Sequence, residues 1–332
     1  MERLDRFMAR ANAAYYATRD PFADFTTAPE IAQAFGEVLG AWAAVVWQMM
    51  GAPDPVILAE AGPGRGTLMA DARRALRRVA PDFSAALRLH LIEASARLRA
   101  VQAAALPEAT WHDRAEDLPP GPLVLLANEF CDALPIRQHV RRGAGWTERF
   151  VGDGGFVEMP ADPPDLGAPD LGTSWLDAAE GAVVETGDAA RRLAATLGAR
   201  VAASGGAVLL LDYGPAARAP GDSLQALRDG RPADPLADPG SADLTAHVDF
   251  AALAEAARAA GAAVHGPLPQ GVFLARIGLP QRSHALARAN PARAAALSAA
   301  TRRLTEPNRM GRLFKALAIT HPALPTPPGF AE

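Results

Sequence analysis

The stretch "LAEAGPGRGTLM", Leu58 to Met69, sets Gly62, Gly64 and Gly66 between an apolar run and a helical pattern. Alternate glycines let a chain leave a buried strand, turn sharply and start a helix, with bare backbone open to a ligand. A strand–loop–helix of this kind belongs to an α/β sheet that binds ligands at the carboxyl ends of its strands.

Such a loop can cradle a diphosphate or hold the methionine and ribose of a nucleoside sulfonium. A Walker phosphate loop needs Gly-Lys-Ser/Thr, and the only lysine here is Lys315. A dinucleotide fingerprint needs G-x-G-x-x-G, but the third glycine comes one residue early, with Thr67 in its place. Pro63 has no N–H to offer a phosphate, and Glu60 would repel one. The same carboxylate can accept a hydrogen bond from an ammonium or from a water beside it. The E-x-G-x-G-x-G pattern therefore favours S-adenosylmethionine, whose ammonium and sulfonium are both cationic. Glu93 closes "LRLHLIE" and can clasp two ribose hydroxyls; nicotinamide enzymes use an acid there too, so it supports a ribose without choosing the cofactor. Asp113, after the next strand, can take an adenine amino group. Each of these carboxylates could instead cap backbone or face water.

The surrounding pattern alternates strands and helices. "PVILAE", "LRLHLIE", "ATWHD", "GPLVLLANEF" and "AVLLLDYG" read as strands. Leu68 to Val79, "ASARLRAVQAAAL" and about 188–203 read as helices, the arrangement of a doubly wound, mostly parallel sheet. Before the first strand, Ile31, Phe35, Val38, Leu39, Trp42, Val45, Val46 and Met49 fall on one helical stripe. "DLTAHVDF" is expected to open a helix, and "AAVHGPLP" with "GVFLARIG" to form a terminal antiparallel hairpin. Over 136–185 the pattern changes to short strands, "IRQHVRR", "WTERFVG" and "GFVEMP", followed by the Pro/Gly/Asp-rich "ADPPDLGAPDLG". The expected domains are an N-terminal helical segment, 1–52, and a sheet domain of 53–135 with 186–280. A small β-rich insertion over 136–185 would serve substrate or partner, and 281–332 would be a helical tail. From Gln281 to Lys315 that tail carries seven Arg and one Lys against Glu306 alone, read first as a solvated basic face.

The chain of 332 residues, 49% hydrophobic, can bury a large core, and its net charge of −4 gives no global attraction to nucleic acid or anionic membranes. Cys131 stands alone, which rules out an internal disulfide and argues against a cysteine-based zinc site. No secretory signal is visible, and "VLGAWAAVVWQMM" is shorter than the roughly 20 residues that span a bilayer. A soluble cytoplasmic protein with no nucleic-acid partner, no membrane insertion and no metal is expected; a homodimer stays open.

The fourth strand ends in "ANEFCDALP", which sets Asn128 and Glu129 beside the transferable methyl and Asp132 three residues on. Here the residues resemble a known family. "DFTTAPEIAQAFGE", "AGPGRGTLM", "LANEFCDALPIRQ", "LLLDYG", "DPLADPGSADLTAHVDF" and "RMGRLFKALAI" are similar to the methyltransferases related to the mitochondrial complex I assembly factor, over about residues 5–320. The resemblance implies a class I, Rossmann-like fold with a seven-stranded sheet and an inserted small domain. It also implies methyl transfer to an arginine of a protein, a respiratory complex I subunit in the mitochondrial members. It suggests that "DFTTAPEI", with Thr27, lies over the cofactor; without function, Thr26, Thr27 and Glu30 read as a helix N-cap and early acid. The family has a longer lead and a glycine where Ala23 stands.

An arginine guanidinium, with a pKa above about 12, is a poor nucleophile until its charge is localised. Glu129 and Asp132 could fork onto it, with Glu129 the first proton acceptor and His247 behind it. His247 also reads as part of a polar strand face or a helix cap. Three other readings remain: a nucleobase-amine methyltransferase using Asn128, a non-catalytic assembly factor that keeps its cofactor, and a nicotinamide oxidoreductase.

Overall fold

The computed structural model describes residues 1–23, 26–165 and 178–331. Asp24 and Phe25 of the first motif, and residues 166–172 of the Pro/Gly/Asp-rich run, lie outside them. The chain divides into two compact units. The larger comprises Thr26–Phe130, Ala195–Gly214 and Ala257–Glu332; the smaller comprises Met1–Phe25, Cys131–Ala194 and Pro215–Ala256.

The larger unit is built on seven strands: β1 (Val56–Ala61), β2 (Leu87–Ile92), β3 (Thr110–His112), β4 (Leu123–Asn128), β5 (Gly206–Tyr213), β6 (Ala263–Pro269) and β7 (Phe314–Thr320). Their order is β3-β2-β1-β4-β5-β7-β6. The pairs from β3 to β5 are parallel, and only β7 runs against its neighbours. This is the seven-stranded, mostly parallel sheet that the alternation of elements predicts. All six positions of β1 and of β4 are buried, as befits parallel strands covered on both faces.

Helix α1 (Gln33–Met49) and helix α2 (Thr67–Val79) cover one face. Phe35, Leu39, Trp42 and Val46 of α1 join Leu58, Leu126 and Leu209 of the sheet in the main core. A fully buried side chain of this size contributes about 1.5–3 kcal/mol. The stripe is narrower than its sequence pattern: Ile31 belongs to a separate short helix, Ala28–Ile31, and Val45 is exposed. The two helices approach closely at glycines. A Cβ on Gly36 would lie 2.6 Å from the Leu68 carbonyl oxygen, and one on Gly40 would lie 2.9 Å from Ala72 Cα.

Three local expectations are corrected. "GVFLARIG" is not a strand, because Gln270–Arg276 is a helix. The partner of β6 is instead "FKALAIT", β7, which lies fully buried within the tail expected to be helical. The helix expected from "DLTAHVDF" opens only at Phe250, where the Asp249 carboxylate accepts the Ala252 N–H at 2.9 Å. Asp243–Thr245 is a strand. The basic face is also interrupted: Lys315 is buried, and its Nζ donates to the carbonyls of Gly214, Arg312 and Leu313. Arg282 pairs with the buried Glu37 at 2.6 Å.

In the smaller unit, Gly145–Gly152 is flanked by Gly155–Ala161 on one side and by Arg137–Arg142 and Glu2–Arg3 on the other, with Val183–Thr186 beyond Arg137–Arg142. A three-stranded sheet (Gln225–Arg228, Arg231–Ala233, Asp243–Thr245) packs with the helix Leu4–Thr18 through Leu4, Phe7, Met8, Ala226 and Leu244. Asn12 is pinned there, donating to the carbonyls of Ala133 and Leu244 and accepting the Leu244 N–H.

Candidate active site

The glycine loop leaves β1 in left-handed backbone, with φ of +64° at Gly62, +55° at Gly64 and +79° at Gly66. A side chain is strained at each, and a Cβ on Gly62 would also meet the Phe130 ring at 2.7 Å. The Gly62 N–H donates to the Ile92 carbonyl at 3.0 Å, which ties the loop to the end of β2.

Glu60, just before the loop, is 3% exposed. Gly66 occupies the N-cap of α2 and has no side chain to serve the helix's first N–H groups. Glu60 serves instead, its carboxyl accepting the Met69 N–H. Its Oε2 has no partner among the described residues, and burial lifts the pKa to about 8 against the hydrogen bond from Met69. Among the described residues the carboxyl is thus half satisfied.

Glu93 follows β2. Its Oε1 accepts the Ser95 N–H at 2.8 Å and its Oε2 accepts from Gln102 Nε2 at 3.2 Å; burial raises its pKa. Gln102 carries no motif and is invisible to sequence reasoning. Asp113 is exposed and paired with Arg99.

At the end of β4 the chain turns through Glu129, a non-glycine residue at φ +51°. Strain of this kind, of order 1–3 kcal/mol, persists only where surroundings enforce it. The Glu129 N–H donates to the Leu211 carbonyl at 2.8 Å. Asp212, buried at the end of β5, accepts the next N–H, that of Phe130, at 3.1 Å. Asp212 was not singled out from the sequence, although a carboxylate closing the apolar run "LLLDYG" is a readable signal. Glu129 Oε1 accepts from Asn128 Nδ2 at 3.0 Å and from the Ala28 N–H at 2.9 Å. Asn128 Oδ1 is buried with no partner among the described residues. The register places Glu60 opposite Leu126, so Glu60 and Asn128 lie on the same face of the sheet, both at strand ends.

Thr27 is the N-cap residue of the short helix Ala28–Ile31, but its side chain makes no capping bond. The segment is held by its neighbours: Ala28 through Glu129, and Glu30 through the Thr67 hydroxyl at the start of α2. The larger unit thus gathers the glycine loop, Glu60, Glu93, Asn128, Glu129 and the Thr27 segment.

Asp132 and His247 belong to the smaller unit. Asp132 is buried, and His247 is exposed with its backbone N–H on Ser223 Oγ at 2.8 Å. Tyr16 donates to Asp243 at 2.8 Å; burial first, then the charges of Asp243 and Asp132, raise the phenol pKa well above its usual range.

A seven-stranded sheet with its glycine loop and carboxylates at the strand ends defines an α/β enzyme that binds an adenosine-bearing cofactor. The family described as "Putative S-adenosyl-L-methionine-dependent methyltransferase" matches residues 38–268, and the chain belongs to it. The mitochondrial protein arginine methyltransferase NDUFAF7 homolog of Drosophila melanogaster is 34% identical over 96% of this chain and 80% of its own length. Two structures of Burkholderia thailandensis proteins are similar. One has TM-score 0.84 and 29% identity, covering 99% of this chain and 90% of that one. The other, bound to S-adenosyl-homocysteine, has TM-score 0.81 and 27% identity over 99% and 88%.

The protein is therefore an S-adenosylmethionine-dependent methyltransferase. The donor set fits that cofactor: left-handed glycines, a proline without an N–H, and a buried carboxyl oxygen lacking a partner. No helix among the described residues is long and apolar enough to cross a membrane.

Proposed function

We propose that the protein methylates an arginine side chain of a protein substrate. The carrying observation is the anchored carboxylate of Glu129 beside the buried Asn128 Oδ1, unpartnered among the described residues, at the end of β4. Together they offer acceptors, which suits a guanidinium, a group with five N–H donors and no acceptor. Relatives named as protein arginine methyltransferases support the reading. A respiratory complex I subunit is the first substrate to try, by resemblance, with the cytoplasm as the compartment.

Glu60, Gly62, Gly64, Gly66, Glu93, Asp113 and Thr27 are assigned to the cofactor. When bound, S-adenosylmethionine supplies an electrophilic methyl on a sulfonium. Glu129 orients the guanidinium and concentrates positive charge away from the attacking nitrogen, then accepts the proton released after transfer. Asn128 accepts a guanidinium N–H. From the sequence alone, Asp132 is assigned as a second carboxylate and His247 as the reserve proton acceptor. The insertion over 136–185 is assigned to substrate or partner recognition.

Glu129→Gln keeps the size and the acceptor for the Ala28 N–H but removes the charge. Methyl transfer, followed by mass spectrometry of a protein substrate, falls about 100-fold or more, while S-adenosylhomocysteine binds within about threefold of wild type. Unchanged transfer overturns the assignment of Glu129. Full assembly of complex I in cells carrying the inactive variant favours a non-catalytic assembly factor instead.

A further inference from the structure

The glycine loop and Glu93 come from separate stretches of sequence, yet one side chain holds both. Gln102, on helix α3 (Ala96–Ala105), is fully buried. Its Nε2 donates to the Gly64 carbonyl at 2.8 Å and to Glu93 Oε2 at 3.2 Å. Its Oε1 accepts the Trp111 indole N–H at 2.8 Å. An indole N–H can only donate, so Trp111 fixes which end of the amide is oxygen. Both amide N–H groups are then directed, one to the loop and one to the carboxylate. The Ser95 N–H holds the other oxygen of Glu93, so the carboxylate is gripped from two sides.

We propose that Gln102 is a positioning residue for S-adenosylmethionine: it locks the Gly64 peptide and the Glu93 carboxylate into one relative arrangement and so sets affinity for the ribose. The proposal rests on Glu93 as the ribose acid. Gln102 touches neither solvent nor ligand in this role. It acts by removing the freedom of two groups that would otherwise be ordered only on binding, which lowers the entropic cost of association.

The test is Gln102→Glu, which keeps the shape and the acceptor for Trp111 but has no N–H. Ionised, it also sets a negative charge against Glu93 and the Gly64 carbonyl; protonated, it regains one O–H donor. Calorimetric titration with S-adenosylhomocysteine, compared with wild type at each pH, is expected to show binding weakened about tenfold or more at pH 8. The gap closes to about threefold near pH 5.5, as the carboxyl gains its proton. A gap that is independent of pH, or absent at pH 8, overturns the proposal. Trp111→Phe retains Gln102 but removes the donor that orients it; its expected loss is about threefold, and none counts against the proposal.

The 2′-deoxy analogue of S-adenosylhomocysteine separates the two layers of the reading. Wild type discriminates against it, and both Glu93→Gln and Gln102→Glu reduce that discrimination. If Glu93→Gln leaves it unchanged, the ribose assignment fails. If Glu93→Gln reduces it and Gln102→Glu does not, the positioning role of Gln102 fails alone.

Discussion

Glu60 holds a proton that its ordinary pKa would surrender near pH 4.5, because a carboxyl buried with a single hydrogen bond is poorly solvated as an anion. Its pKa in the fold is raised, so between about pH 4.5 and about pH 8 the unfolded chain releases the proton while the folded chain keeps it. Unfolding is therefore favoured as pH rises through that window. A cationic ligand beside Oε2 reverses the penalty by stabilising the anion. Below about pH 6.5 the histidines that burial keeps neutral, His90 first, add stability as pH rises and oppose the Glu60 trend. The thermal midpoint of the free protein is therefore expected to fall from about pH 6.5 to pH 8, and the upward shift caused by S-adenosylhomocysteine to grow over the same range. Glu60→Gln flattens both trends; retention of either trend in that variant assigns it to another group. The sequence pattern led to Glu60 because a carboxylate two residues before a glycine loop is a readable signal. Its service as the cap of α2 was not readable, since that depends on a backbone N–H nine residues further on. Gln102 was hidden for the same reason: a glutamine in an amphipathic helix declares nothing until the fold brings Gly64, Glu93 and Trp111 around it.

At the scale of elements, the contact of α1 with α2 depends on two glycines four residues apart. Helix propensity alone favours Gly36→Ala by about 1 kcal/mol. The new Cβ would lie 2.6 Å from the Leu68 carbonyl oxygen and 2.8 Å from Asp71 Cβ, which requires one helix to move. Overpacking of this kind costs about 1–3 kcal/mol, so the clash outweighs the propensity. A lower urea midpoint is expected for Gly36→Ala; a higher one would mean that the helices separate without cost. Strands β1, β4 and β5 were legible because each is a short, mainly apolar run followed by turn residues. The last two were harder. "GVFLARIG" and "FKALAIT" are both brief apolar runs, and periodicity does not separate a buried strand from a buried helix turn at that length. Which of them pairs with β6 is settled by long-range packing, not by local sequence. "DLTAHVDF" misled for a related reason: it joins a strand to a helix cap with no break in polarity.

For the whole molecule, the position of Lys315 carries a consequence outside catalysis. It is the only lysine in the chain, and it sits on β7, the strand that runs against its neighbours, with its ammonium donating to three carbonyls and its pKa lowered by burial. Amine-directed acylating reagents should therefore modify the native protein at the α-amino group and spare Lys315. Peptide mass spectrometry over time would then record a second, slow acylation whose rate follows the opening of β7 away from β5. S-adenosylhomocysteine is expected to slow that acylation. Rapid modification of Lys315 in the folded protein would contradict its burial. The chain thus contains its own clock, a single chemical tag that reports how often the sheet comes apart.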